Sequence, residues 1–155
     1  MEKNIENKLS ALQAKLQSIK AGDFMTTNII TASENMSIVD IADFMINKRI
    51  SGLPVTSDNG QLSGIITTTD LFTLIDIIRS GSIKENALNP KVSFAMSTNI
   101  ISISKDTTLE QIIVMMKQHN IHTLPVCEEG KMIGIVGRRD VFKNFYSAAK
   151  SIADH

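Results

Sequence analysis

Apolar residues recur at Ile5, Leu9, Leu12, Leu16 and Ile19, with charged and polar residues between them. Steps of four, three, four and three follow one face of a helix. They predict an N-terminal amphipathic helix over residues 3–22, stopped at Gly22-Asp23. Such a helix either covers an apolar patch of its own domain or forms a short seam with a second chain. Further on, Ile38, Ile41, Ala42, Met45 and Ile46 keep the same spacing, as do Leu109, Ile112, Ile113 and Met116. These predict two more helices with inward faces. Ser37 and Thr107 or Thr108 are the N-cap candidates. Each helix is followed by two short apolar runs around a turn, residues 52–57 and 61–67, then 123–127 and 131–136. Asp58-Asn59-Gly60 and Glu129-Gly130 supply the hairpin turns. Closing helices follow over about 69–80 and 138–152, and short strands precede each set over 28–31 and 99–103. Ser80-Gly81-Ser82 ends the first closing helix, and residues 81–93 form a polar connection containing Pro90.

The elements come twice. Met25-Thr26-Thr27-Asn28-Ile29-Ile30 returns as Met96-Ser97-Thr98-Asn99-Ile100-Ile101, and Ile50-Ser51-Gly52-Leu53-Pro54-Val55 as Ile121-His122-Thr123-Leu124-Pro125-Val126, each 71 positions on. Gly60 and Asp70 return as Gly130 and Asp140, 70 positions on. The missing residue falls in the hairpin turn, where deletions are tolerated. The chain thus divides into a leading helix (1–22), repeat one (23–80), a connection (81–93) and repeat two (94–155). The fold class is α+β. Two β-α-β-β-α units, each too small to bury both sheet faces, pack sheet to sheet with pseudo-twofold symmetry behind the leading helix.

Composition narrows the picture by exclusion. Net charge is +0 over 155 residues, so nothing favours nucleic acid or an anionic membrane as a partner. No apolar run is long enough for a bilayer and no signal-peptide core leads the chain, so a cytoplasmic protein is expected. Cys127 is the one cysteine, with no motif-placed histidine, and reads as a buried structural thiol. Eight methionines and no tryptophan suggest an adaptable, aliphatic core.

The candidate chemistry lies where strand runs into helix. Gly64-Ile65-Ile66-Thr67-Thr68-Thr69-Asp70 passes straight into Leu71-Phe72, and Gly134-Ile135-Val136-Gly137-Arg138-Arg139-Asp140 into Val141-Phe142. A helix N-terminus offers unpaired N–H groups and a positive dipole end to an anion. The Thr67 hydroxyl and the N–H groups near Thr68 and Thr69 suit phosphate. Asp70 would repel phosphate and suits a sugar diol. Thr67-x-x-Asp70 is also a capping-box spacing, in which case both side chains serve only the helix. Gly137 replaces the threonine in the second copy, while Arg138 and Arg139 add two guanidiniums suited to phosphate, or simply a solvated pair. His119 and His122 lack the neighbours of a metal site and read as surface residues. No Ser-His-Asp, Walker or metal signature is present, so catalysis is not expected.

Taken together, the repeat, Ile-Ser-Gly-Leu-Pro-Val and Gly-Ile-Ile-Thr-Thr-Thr-Asp-Leu resemble a tandem pair of CBS (cystathionine β-synthase) domains, a Bateman module, over roughly residues 24–150. The resemblance implies regulation by an adenine nucleotide (AMP, ADP or ATP), or by S-adenosylmethionine or an NAD-type molecule. It also implies a homodimer of two pairs, and no required cofactor or metal. Its ribose-phosphate motif maps onto Thr67, Thr68, Thr69 and Asp70, with Ser51, Leu53 and Pro54 lining the base pocket and Ile29 and Ile30 completing its apolar slot. The second copy maps onto Ile101, His122, Leu124, Pro125, Arg138, Arg139 and Asp140. On this basis the chain is expected to be a stand-alone sensor that signals by conformational shift to an unidentified protein. The alternative is a dimerising scaffold with vestigial clefts.

Overall fold

A computed structural model describes residues 1–81 and 89–154. Ser82, most of the 81–93 connection and the last residue of repeat two therefore lie outside the described residues. The elements in order are α1 (Glu2–Ser18), α2 (Ala21–Phe24), β1 (Ala32–Ser33), α3 (Ile38–Lys48), β2 (Gly52–Thr56), β3 (Leu62–Thr67) and α4 (Thr68–Arg79). There follow α5 (Val92–Ala95), α6 (Leu109–His119), β4 (Thr123–Glu128), β5 (Lys131–Gly137) and α7 (Arg138–Ala153). Both hairpins are antiparallel, with Leu53 opposite Ile66 and Leu124 opposite Val136. The architecture is mixed α+β, with a leading helix and two small sheets.

Local chemistry explains most boundaries. The Ser37 hydroxyl accepts the Asp40 N–H at the start of α3. Thr108, not Thr107, caps α6, its hydroxyl accepting the Gln111 N–H while the Gln111 side chain accepts from Thr108. Gly60 and Gly130 take the left-handed conformation in the turns (φ 80° and 79°). Ile46 was expected inside but is 74 % exposed. At roughly 100° per residue it sits about 80° round the helix from Ile38, off the buried stripe.

The chain separates into two compact units. One is contiguous, Ile30–Ile101; the other is composite, Met1–Ile29 with Ser102–His155. The contiguous unit buries Ile38, Ile41, Met45, Leu53, Val55, Ile66, Leu74 and Val92 around one core. In the composite unit the buried residues include Ala21, Leu109, Ile112, Met116, Leu124, Val126 and Val136.

The units are therefore not the sequence repeats. The leading segment of repeat one lies in the composite unit, where Thr26 and Ile135 exchange N–H···O bonds of 2.9 Å in both directions. That of repeat two lies in the contiguous unit, where Ser97 and Ile65 do the same at 2.8 and 2.9 Å. This arrangement corrects two expectations. First, α1 stops at Ser18, and Gly22-Asp23 falls within α2 instead of ending the helix. The chain is drawn out there by bonds from Leu109 N–H to Ile19 O, Ala21 N–H to Thr107 O and Gly22 N–H to Lys105 O, each 2.8 Å. Secondly, the first strand is not 28–31 but Ala32–Ser33, parallel to β2, and in place of 99–103 a single bridge joins Ile103 to Val126. The residues that enter the sheet are those facing a core, and Ala32 is too small to signal it.

In the composite unit α1 packs against α6 and α7. Leu12 and Leu16 are half-buried, whereas Ile5 and Leu9 are 61 % and 54 % exposed. The apolar stripe is thus covered over only part of its length.

Candidate functional site

In the contiguous unit β3 delivers Thr67 to the start of α4. The Asp70 Oδ2 accepts the Thr67 N–H (2.8 Å) and the Thr67 hydroxyl (2.9 Å), and that hydroxyl accepts the Asp70 N–H (3.2 Å). The capping box is closed, so both side chains serve the helix start, as the spacing allowed. Thr68 N–H donates to Ser51 O at 2.9 Å, tying the α4 start to the turn before β2. The N–H of Thr69 makes no bond among the described residues, one of the open donors every helix start presents. Asp70 is half-buried, and its Oδ1 has no partner among them.

The composite unit builds the same junction with fewer internal bonds. Asp140 Oδ2 accepts only the Gly137 N–H (3.0 Å), since glycine has no hydroxyl to give. Arg138 N–H donates to His122 O at 2.9 Å, matching Thr68 and Ser51. The Arg138 guanidinium is already committed. Its Nε donates to Ile121 O and an Nη to Asn120 Oδ1, both at 3.3 Å, which clamps α7 to the α6–β4 turn. Arg139 is exposed and makes no hydrogen bond or ion pair among the described residues.

The expected base-pocket residues divide. Leu53 and Leu124 are 2 % and 0 % exposed, with Pro54 and Pro125 also fully buried, so these positions offer a ligand backbone more readily than side chain. Ser51 and His122 are exposed beside the junctions. Ile30 and Ile101 belong to the unit that holds Asp70, while Ile29 belongs to the unit that holds Asp140. Ile29 is therefore counted with the other unit from the junction to which it was first assigned.

Met25 and Met96 were missed as structural partners of the motif. A Cβ on Gly64 would lie 2.6 Å from the Met96 Sδ, and one on Gly134 would lie 2.5 Å from the Met25 Sδ. The motif glycines therefore make room for methionines of the exchanged segments. The signal was present in the sequence, because both methionines open an aligned block.

Cys127 is half-buried, and burial pushes its thiol pKa up, against a smaller lowering by the Ser102 hydrogen bond, which keeps it a weak nucleophile. Among the described residues no three His, Cys, Asp or Glu side chains gather as metal ligands, and no helix is long and apolar enough to cross a membrane. A surface cavity of about 530 Å³ opens beside α6, between Ser102, Ser104, Thr107, Glu110 and Val114, and no junction residue lines it.

Two matched junctions, each closing a β-hairpin and opening a helix, lead directly to known proteins. The family model for the CBS domain matches residues 21–77 and again 92–147. A homoserine O-acetyltransferase of Methanosalsum zhilinae is 33 % identical over 129 residues, which is 83 % of this chain but 24 % of that protein. The chain thus spans about a quarter of the length of its acetyltransferase relatives. The CBS domain-containing protein YhcV of Bacillus subtilis is 31 % identical over 129 residues, 83 % of this chain and 86 % of that one. Among solved structures, CBSX2 in complex with AMP superposes with a TM-score of 0.74 at 26 % identity, over 84 % of this chain and 98 % of that one. The CBS domain pair of MJ0100, in complex with 5′-methylthioadenosine and S-adenosyl-L-methionine, gives 0.70 at 26 % identity, over 83 % and 96 %. Two matches that each include a leading segment, a hairpin and a strand-to-helix junction place this chain in the CBS domain family, as a pair of CBS domains.

Proposed function

We propose that this chain is a regulatory module that binds an adenosine-containing ligand, AMP, ADP or ATP foremost, at its two strand-to-helix junctions and is not itself an enzyme. One observation carries the reading. Each junction presents a half-buried aspartate with an uncommitted Oδ1 next to an open helix N–H, at Asp70 with Thr69 and at Asp140 with Arg139. A carboxylate oxygen accepts bonds from a ribose diol, and an open N–H at a helix start donates to an anion. CBSX2 and the MJ0100 pair bind AMP and adenosyl compounds, which supports the same chemistry here. Ser51, Leu53, Pro54, Ile30 and Ile101 would frame the base at the first junction, and His122, Leu124, Pro125 and Ile29 at the second.

Regulation then follows from population shift. A ligand that binds one arrangement of the module better than another moves the balance by no more than that difference in affinity, and a partner protein reads the result. We include a homodimer in the proposal. Phe72 and Ile75 on α4 and Phe142 and Phe145 on α7 stand at matched places and remain uncovered, Phe72 and Phe142 at 73 % and 72 % exposure. A second reading, a dimerising scaffold with unused clefts, draws on the closed capping box, in which Thr67 and Asp70 already satisfy each other.

Calorimetry with AMP, ADP, ATP and S-adenosylmethionine separates the two, with sedimentation of the same samples. The proposal predicts micromolar binding of at least one ligand to a particle of twice the chain mass. Titrations silent up to about millimolar, some 4 kcal/mol of binding energy, would leave the scaffold.

A further inference from the structure

The two junctions carry opposite side-chain chemistry at four matched positions. Around α4 these are Ser51, Thr68, Thr69 and Thr73; around α7 they are His122, Arg138, Arg139 and Lys143. The backbone is the same in both, with Thr68 N–H on Ser51 O and Arg138 N–H on His122 O, each at 2.9 Å. What differs is charge. The α4 set holds only hydroxyls, and the Thr73 hydroxyl is turned back onto Thr69 O at 3.0 Å. Arg49, two residues before Ser51, stands at the left-handed C-cap of α3, where the other unit has Asn120.

On α7 the three cations have different duties. Arg138 is spent on Ile121 O and Asn120 Oδ1, so it positions the turn that carries His122. Arg139 and Lys143 are four residues apart, hence on one face of the helix, and both are exposed. Neither has a hydrogen-bond or ion-pair partner among the described residues. Two unneutralised cations beside an open helix N-terminus make a site for more negative charge than one phosphate carries.

Building on the adenine reading above, we propose that the junctions divide their ligands by charge. The α7 junction takes the di- or triphosphate chain of an adenine nucleotide through Arg139 and Lys143. The α4 junction, lined by threonines, takes an adenosyl group that carries at most a single phosphate. One chain would then compare two adenosine-containing compounds, because each has its own seat.

The test titrates the full chain with ATP and, separately, with adenosine. The double change Arg139→Thr, Lys143→Thr should weaken ATP about tenfold or more, the scale of a lost charge-assisted contact, and leave adenosine within about twofold. The reciprocal pair Thr69→Arg, Thr73→Lys should add a second ATP site. Should either variant fail to fold, salt serves on the wild type: screening should weaken ATP and spare adenosine. Equal losses for both ligands, ATP indifferent to the loss of Arg139 and Lys143, or equal salt sensitivity would each overturn the division by charge while leaving adenine binding in place. A wild-type chain that binds neither compound would overturn the adenine reading and this inference together.

Discussion

A fragment of residues 30–101 should fold by itself, and one of residues 23–80 should not. The second fragment follows the sequence repeat and so discards the segment that completes its core. Val92 is fully buried in the contiguous unit, and burying such a side chain contributes about 1.5–3 kcal/mol. Ser97 and Ile65 exchange two backbone bonds, Val92 N–H donates to Met36 O at 2.8 Å and Ile38 N–H to Pro90 O at 2.9 Å. At about 1 kcal/mol net per bond, the segment contributes several kcal/mol. That is a large share of the roughly 5–15 kcal/mol by which a domain is stable. Fragment 23–80 also keeps residues 23–29, whose partner Ile135 it lacks. Circular dichroism melts of the two fragments decide the matter. A cooperative transition for 30–101 alone is expected. A transition for 23–80 at the same or a higher temperature would refute the exchange.

Gly64→Val should cost the full chain about 1–3 kcal/mol, the usual scale of an overpacked site, or some 2–12 °C of melting temperature. The new Cβ would meet the Met96 Sδ at 2.6 Å and the Ser97 carbonyl oxygen at 2.9 Å. A methionine sulfur can swing aside. The carbonyl oxygen cannot move freely, because it accepts the Ile65 N–H at 2.9 Å. Adding Met96→Ala should therefore recover only part of the loss. Differential scanning calorimetry of the single and double variants gives both numbers. An unchanged melting temperature for Gly64→Val would mean that the glycine is not there for the methionine.

The contrast between what was legible and what was not has a physical basis. Hairpins and long helices announce themselves because one face of each is buried, and burial at Leu53, Val55, Ile66, Ile41 and Met45 leaves a period in the sequence. The duplicated junction was legible for the same reason, since its two copies keep their order and spacing. Which copy each leading segment joins was not legible. Thr26 and Ser97 stand at equivalent positions, and repeat spacing is the same whether a segment packs on its own repeat or on the other. The end of α1 was lost to tertiary bonds at Lys105, Thr107 and Leu109, which override the local preference at Gly22. At the junctions, the capping pair Thr67 and Asp70 and its repeat mate Asp140 could be picked out from spacing. That Arg138 is clamped by Asn120, while Arg139 remains open, depends on a turn 18 residues upstream of Arg138 that sequence does not connect to it.

The central claim is that an adenosine-containing ligand sits at the two helix starts. Amide chemical-shift mapping of the full chain during an AMP titration tests it most directly. The account predicts the largest shifts at the N–H groups of Thr68, Thr69 and Asp70 or of Arg138, Arg139 and Asp140, saturating together. Shifts that saturate instead around Ser104, Glu110 and Val114, with both junctions silent, would contradict it.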